Sequence, residues 1–203
     1  GIHGAVLSEA AMGRTLSVLR QCLDLCRKEG VQQVVAVGTS ALRDARNRDD
    51  FVQRCREIGL DVEILTGDDE AHLSALAVRS DPHWRAAPYI VVFDIGGGST
   101  EIVFDDLSRM EQTRASLQLG AVRVTEQVLT HDPPTPEQIN EARCIIARTL
   151  KAVHWPRVAL TAIGVGGTMT NMGAVILARR GRNDREALHG MVLTLEYVQD
   201  QIG

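Results

Sequence analysis

The stretch that most constrains this chain is Tyr89 to Asp105, YIVVFDIGGGSTEIVFD. An apolar run, Ile90 to Phe93 behind Tyr89, leads to Asp94. Gly96, Gly97 and Gly98 follow, then Ser99, Thr100 and Glu101, and a second apolar run, Ile102-Val103-Phe104. Short apolar runs bounded by turn residues read as strands, so the spacing predicts two strands joined by a glycine loop. Three successive residues without Cβ let backbone N–H groups approach an anion closely and turn toward it together. Ser99 and Thr100 add hydroxyl donors. A bare phosphate would be repelled by Asp94, so a carboxylate at the strand end calls for a bridging cation such as Mg2+. The same residues also allow a plain solvated glycine turn.

The octapeptide D-I-G-G-G-S-T-E, Asp94 to Glu101, resembles the second phosphate loop of the Ppx/GppA family, the exopolyphosphatases and guanosine pentaphosphate phosphohydrolases. That resemblance implies an α/β protein with the two-domain actin-like, ribonuclease H-like fold shared by sugar kinases, Hsp70 and actin. It places a first α/β domain over residues 1–86 and a second over 87–203.

The pattern along the chain agrees with an α/β plan. Ser8 reads as an N-cap, Gly30 as the residue past a helix end, and Met12, Leu16, Leu19, Leu23 and Cys26 as one apolar face between them. Val31 to Val37 predicts a buried strand. Phe51, Val52, Cys55 and Ile58 mark a second helix ending at Gly59, Val62 to Leu65 another strand, and Gly67 to about Arg79 a third helix. This alternation predicts parallel strands. Asp81 to Pro88 reads as a linker. Gln112 to Leu117 then reads as a strand, Gly120 to Leu129 as a short helix, and Thr135-Pro136-Glu137-Gln138 as a capping box with proline at the first helical position. Ile139, Ala142, Ile146, Leu150 and Val153 are the expected buried side of that helix. Val158 to Ile163 predicts a strand, Gly164 to Thr168 a second glycine loop opening onto a helix, Arg179 to Arg185 a basic loop, and Leu193 to Gly203 a last helix.

Phosphoanhydride hydrolysis needs donors that position phosphate, neutralisation of charge, and one base that orients water. Three clusters offer these parts. In Thr39-Ser40-Ala41-Leu42-Arg43-Asp44-Ala45-Arg46-Asn47, a strand-end hydroxyl is followed by Arg43, which can clamp a phosphate or pair with a nearby acid. In Gly67-Asp68-Asp69-Glu70-Ala71, three acids at a helix start suit the helix dipole by themselves. The glycine loop supplies Asp94, Gly96, Gly97, Gly98, Ser99, Thr100 and Glu101.

The resemblance sharpens these readings. The first cluster is similar to the family's T-S-A-x-R-D-A-x-N and the second to its G-x-E-E-A, whose second glutamate, the catalytic one, falls on Glu70. Asp69 replaces the first glutamate of that pattern. Asp94 before the loop and Glu101 after it can face one Mg2+ cofactor as metal-linked carboxylates, directly or through water, with an ordinary exposed strand position the alternative for Glu101. Gly164-Val165-Gly166-Gly167-Thr168 corresponds to a later G-x-G-G-T loop, which adds Gly166, Gly167 and Thr168 to the phosphate-binding set. Ser116 to Arg123 resembles S-x-x-L-G-A-V-R, with a structural and a ligand role both open for Arg123. Leu188-His189-Gly190 also matches, with His189 read as a packing or capping residue. The remaining histidines show no metal-ligand spacing.

Composition excludes other classes. With 44% hydrophobic residues, 24% charged and a net charge of -4, the 203-residue chain has the make-up of a soluble globular protein. No basic stripe interleaves with aromatics, which argues against nucleic acid, and no apolar run is long enough for a membrane span. Cys22, Cys26, Cys55 and Cys144 fall in predicted helices without C-x-x-C spacing, as suits reduced thiols in the cytoplasm. The expected ligand is polyphosphate or guanosine pentaphosphate, hydrolysed at a terminal phosphoanhydride bond, and a homodimeric parent fits the resemblance. A non-catalytic nucleotide- or polyphosphate-binding module, and an ATPase or kinase of the same superfamily, are the alternatives. The family's first phosphate loop, D-x-G-S-N-S, has no counterpart here. The chain is therefore expected to be truncated at both ends and inactive alone.

Overall fold

The computed structural model describes residues 6–158 and 160–200. Helix α1, Glu9–Lys28, is capped by Ser8, whose hydroxyl accepts from Ala11 N–H, and Gly30 beyond its end has φ +69°. Met12, Leu16 and Leu23 bury one face. Strand β1, Ala36–Gly38, leads into a single helical turn, α2, Ser40–Arg43; α3, Arg48–Glu57, then returns the chain to β2, Val62–Ile64. β1 and β2 are parallel, with Ala36 opposite Val62. Their core is Met12, Leu16, Leu42, Phe51, Val52 and Cys55.

The buried strand expected over Val31 to Val37 is shorter and more open than its composition suggests. Only Ala36–Gly38 is strand, and Val31, Val34, Val35 and Val37 are exposed. A run of this kind is buried when both faces and both edges are covered. Among the described residues β1 pairs with β2 alone.

Helix α4, Gly67–Ser80, carries the chain to a second sheet of β3, Tyr89–Ile95, β4, Thr100–Asp106, β5, Glu111–Leu117, and β6, Thr161–Val165. The order is β5-β4-β3-β6: an antiparallel meander with β6 added parallel to β3, as expected of a ribonuclease H-like unit. Between β5 and β6 lie α5, Ala121–Gln127, and α6, Pro136–Leu150; after β6 come α7, Gly166–Arg179, a 3-10 turn, Glu186–Leu188, and α8, Leu195–Asp200. The predicted Thr135/Gln138 capping box forms on α6. Of the residues expected on its buried side, Ile139 and Ile146 are exposed, because Leu150 and the following Val153 are the part that reaches the sheet. The strand predicted over Val158 to Ile163 begins later and takes in Gly164 and Val165. Ala159 and residues 201–203, within the predicted strand and last helix, lie outside the described residues.

Strand alternation sorts the sheet. Ile90 and Val92 of β3 and Val103 of β4 face α4, where Ala71, Ala75 and Val78 pack on them; Val91, Ile102 and Phe104 face Val153 on the other side. Alanines let α4 lie close to the strands. At its far end Arg79 grips Asp105 through Nη2 at 2.8 Å and Nε at 3.2 Å, and its Nη1 donates to the carbonyls of Trp84 and Ala87. No helix among the described residues is long and apolar enough to cross a membrane.

Candidate active site

The predicted site residues gather at the carboxyl ends of the parallel strands: Arg43 follows β1, Glu70 follows β2, Asp94 ends β3, and Gly166 follows β6. That edge is where open α/β sheets bind ligands.

Local chemistry at the start of α4 decides which of its three acids turns inward. Thr66 is the N-cap, accepting from Asp69 N–H, and the Asp69 carboxylate accepts from Thr66 N–H in return. Asp69, the departure from the family pattern, is thus a capping residue, and the Thr66 hydroxyl and N–H, both donating to it, hold its carboxyl below the usual range. Asp68 points outward to Arg114 at 2.8 Å. Glu70 turns inward and pairs with Arg43, their side chains being 14% and 18% exposed. Arg43 Nη1 also donates to the Leu65 carbonyl at 2.8 Å. Its Nη2 is buried with no partner among the described residues. A guanidinium N–H left so is costly unless a ligand accepts from it.

Asp94 and Glu101 face each other across the β3–β4 ladder. Asp94 Oδ2 accepts from Ser74 Oγ at 2.7 Å. Its Oδ1 lies where a Cβ on Gly166 would come within 2.5 Å, and Gly166 has φ +82°, so that position needs glycine twice over. Glu101, 3% exposed, accepts from Ser116 Oγ at 2.9 Å. Burial pushes its carboxyl pKa up, hydrogen bonds from Ser116 and Ser99 pull it down, and the Glu70 and Asp94 carboxylates push it up again.

The glycine loop is held from behind by α5. Ala121 N–H donates to the Gly96 carbonyl at 2.9 Å, Arg123 N–H to Gly97 at 2.9 Å, and Arg123 Nε to Gly98 at 2.6 Å. In a trans peptide the N–H points opposite to the C=O. With these three carbonyls turned to α5, the N–H groups of Gly97, Gly98 and Ser99 turn the other way, as an anion cradle requires. Gly120 permits the approach, since a Cβ there would sit 2.4 Å from the Gly97 oxygen.

Several residues take structural posts. Thr100 Oγ1 donates to the Leu119 carbonyl at 2.6 Å, on the opposite face of β4 from Glu101, and Thr168 Oγ1 donates to the Ile95 carbonyl at 2.7 Å, tying α7 to β3. Gly167 has open space around it. Arg123, 3% exposed, bonds Asp44 at 2.8 Å and Gln118 at 2.7 Å besides the loop carbonyl, which settles it as a strut. Asn47 clamps Leu7, accepting from its N–H and donating to its carbonyl. The supports Thr66, Ser74 and Ser116 carried no predicted role. Ser74 was readable, lying four residues after Glu70 on the same helical face. Ser116 was not, because its partnership depends on strand register.

Asp94 and Glu101 form an all-oxygen, acid-rich pair beside Glu70, a donor set suited to a hard divalent ion. Among the described residues the one cation bonded to any of the three is Arg43, on Glu70. The carboxylates do not close into a trio with ligand atoms within 4.8 Å. Mg2+ tolerates that looseness, since it keeps several waters and takes one or two carboxylates together with substrate phosphates.

The family model for the Ppx/GppA phosphatase family matches residues 3–199. The chain belongs to the Ppx/GppA phosphatase family. Exopolyphosphatase 2 of Mycobacterium tuberculosis is 34% identical over 174 residues, covering 81% of this chain and 54% of that protein. Among solved structures, the Ppx/GppA family member of Aquifex aeolicus superposes with a TM-score of 0.75 at 33% identity, over 97% of this chain and 62% of that one. An exopolyphosphatase from Cytophaga hutchinsonii gives 0.82 at 25% identity, over 99% and 65%. The chain spans about half the length of the mycobacterial relative. Its mixed α/β architecture is the Ppx/GppA fold.

Proposed function

We propose that this chain supplies the phosphate-positioning and water-activating core of an enzyme that hydrolyses the terminal phosphoanhydride of inorganic polyphosphate or guanosine pentaphosphate. The observation that carries the reading is the buried, unpartnered Nη2 of Arg43 beside Glu70. It is a donor kept for an acceptor that the described residues do not provide. In this reading the unit over 1–86 brings Arg43 and Glu70, the unit over 87–203 brings the glycine cradle, and α4 of the first packs on the sheet of the second.

The terminal phosphate accepts hydrogen bonds from the N–H groups of Gly97, Gly98 and Ser99 and from Arg43 Nη2, which fixes its orientation and spreads its charge. Glu70, held by Arg43, accepts a proton from water as the water oxygen bonds to phosphorus, and the bridging oxygen leaves with the shortened chain. Mg2+, held by Asp94 and Glu101, would neutralise charge on the phosphate oxygens.

Glu70→Gln in the full-length protein tests this reading. Turnover is expected to fall by roughly two to four orders of magnitude with substrate binding retained, the usual size of a general-base contribution. Phosphate release from both substrates, with and without Mg2+, measures it. Hydrolysis at the unmodified rate would reduce Glu70 to a helix-dipole residue.

A further inference from the structure

At the other end of α4 the chain assembles a second cluster. Asp81 is the C-cap of α4, and its Oδ1 lies 2.8 Å from His83 Nδ1. From far along the sequence, just past the 3-10 turn that follows α7, His189 Nε2 comes to 2.8 Å from Asp81 Oδ2. The two imidazoles flank one carboxylate, with ring centroids 6.0 Å apart. Among the described residues this is the one trio of His, Cys, Asp or Glu whose ligand atoms all lie within 4.8 Å of one another. Asp81 lies eleven residue steps along α4 from Glu70, about 16.5 Å at 1.5 Å per step, so the trio stands apart from the phosphate site.

We propose that Asp81, His83 and His189 form a binding site for a divalent transition metal ion of the zinc class. Two nitrogens and one carboxylate oxygen are a borderline donor set, suited to Zn2+ or Co2+ and poorly suited to Mg2+, which takes oxygen. Three protein ligands leave a fourth tetrahedral position for water. Metal–ligand bonds of about 2.0–2.2 Å place tetrahedral ligands about 3.3 Å apart. The 2.8 Å contact at the ligating carboxylate oxygen therefore opens by about half an ångström, and the histidine on the other oxygen leaves it for the ion. Both histidine side chains are 70% exposed, and rotating them disturbs no core packing. Each turns its metal-facing nitrogen into a lone pair and leaves the other N–H to solvent. His83 and Asp81 come from one short turn, anchored by the Arg79 bonds to the Trp84 and Ala87 carbonyls and by Trp84 N–H to the Asp81 carbonyl at 3.1 Å. Only His189 is brought from elsewhere. The ion therefore staples the segment after α7 to the C-terminus of α4, the helix whose first turn holds Glu70.

The test is a Zn2+ titration by calorimetry and a Co2+ titration by visible absorption. The full-length protein is produced without a histidine tag and kept in excess Mg2+, which occupies the carboxylates at the other end of α4. One ion per chain, with imidazole resonances of His83 and His189 both perturbed, is expected. Affinity should fall at least tenfold in each of His83→Ala, His189→Ala and Asp81→Asn, with circular dichroism unchanged. His189→Asn keeps a hydrogen-bond donor toward Asp81 and separates ligation from a simple latch, because it too should lose the ion. Affinity unchanged in these variants would place the ion elsewhere. Absence of binding in the unmodified protein would leave a hydrogen-bonded clasp and end the proposal.

Discussion

Replacing Arg123 by Met tests whether the phosphate loop is held by a buried strut. The side chain is 3% exposed and its Nη2 pairs with Asp44, itself 19% exposed, at 2.8 Å. Unit charges with centres about 4 Å apart attract by about 4 kcal/mol at an effective dielectric constant near 20. Much of that offsets the desolvation of bringing both ions inside. Removing one partner leaves the other's desolvation uncompensated, and such deletions cost roughly 3–5 kcal/mol. Because Asp44 recovers some water, the lower end applies, about 3 kcal/mol. The loss of charged donors to the Gly98 carbonyl and to Gln118 keeps the figure from falling further. For a chain of this size that is a fall in Tm of about 6–12 °C. Denaturant and thermal unfolding of Arg123→Met, Asp44→Leu and the double variant form the assay. The double variant should lose less than the sum of the singles, since it strands no charge. Arg123→Lys should rescue little, because a point charge cannot reach three partners in a plane. A loss below about 1 kcal/mol for Arg123→Met, with phosphate affinity abolished, would make Arg123 a ligand and refute the strut.

Asp94→Asn should raise the Mg2+ concentration for half-maximal activity by roughly tenfold or more, measured as phosphate release against Mg2+; an unaltered dependence would move Asp94 away from the metal. Burial raises the Glu101 carboxyl pKa above its unfolded value. The stability associated with its protonated form is therefore full below the unfolded pKa and lost as pH rises through the folded one. Glu101→Gln should accordingly gain stability over the parent as pH climbs through that window, with no gain at low pH, and parallel pH–Tm curves would contradict this. Gly67→Ala sets a Cβ 2.2 Å from Ser116 Oγ and 2.5 Å from Ser116 Cβ, which should cost roughly 1–3 kcal/mol of stability. Adding Ser116→Gly should restore most of the loss in unfolding experiments; failure to do so would place the strain elsewhere.

Much of the site was legible in sequence because its signals are local. A glycine triplet between apolar runs permits few conformations, and Ser8, Thr135 and Gly30 mark helix ends through hydrogen bonds within a few residues. The helix and strand that carry Glu70 and Asp94 lie where periodicity puts them. Tertiary structure decided what each polar side chain does there. Arg43 could pair with any acid or with phosphate, and only the approach of α4 to α2 gave it Glu70 while leaving one nitrogen without a partner among the described residues. Arg123 became a strut, and Thr100 and Thr168 turned to carbonyls, because strand register and the docking of α5 and α7 brought those partners close. The burial of Val31 to Val37 and of Ile139 and Ile146 followed neighbours, not composition. His189 met Asp81 and His83 by the path of the chain after α7, which no spacing along the sequence records. Local chemistry is written in adjacent residues; a contact between distant ones exists only once packing has chosen which faces meet.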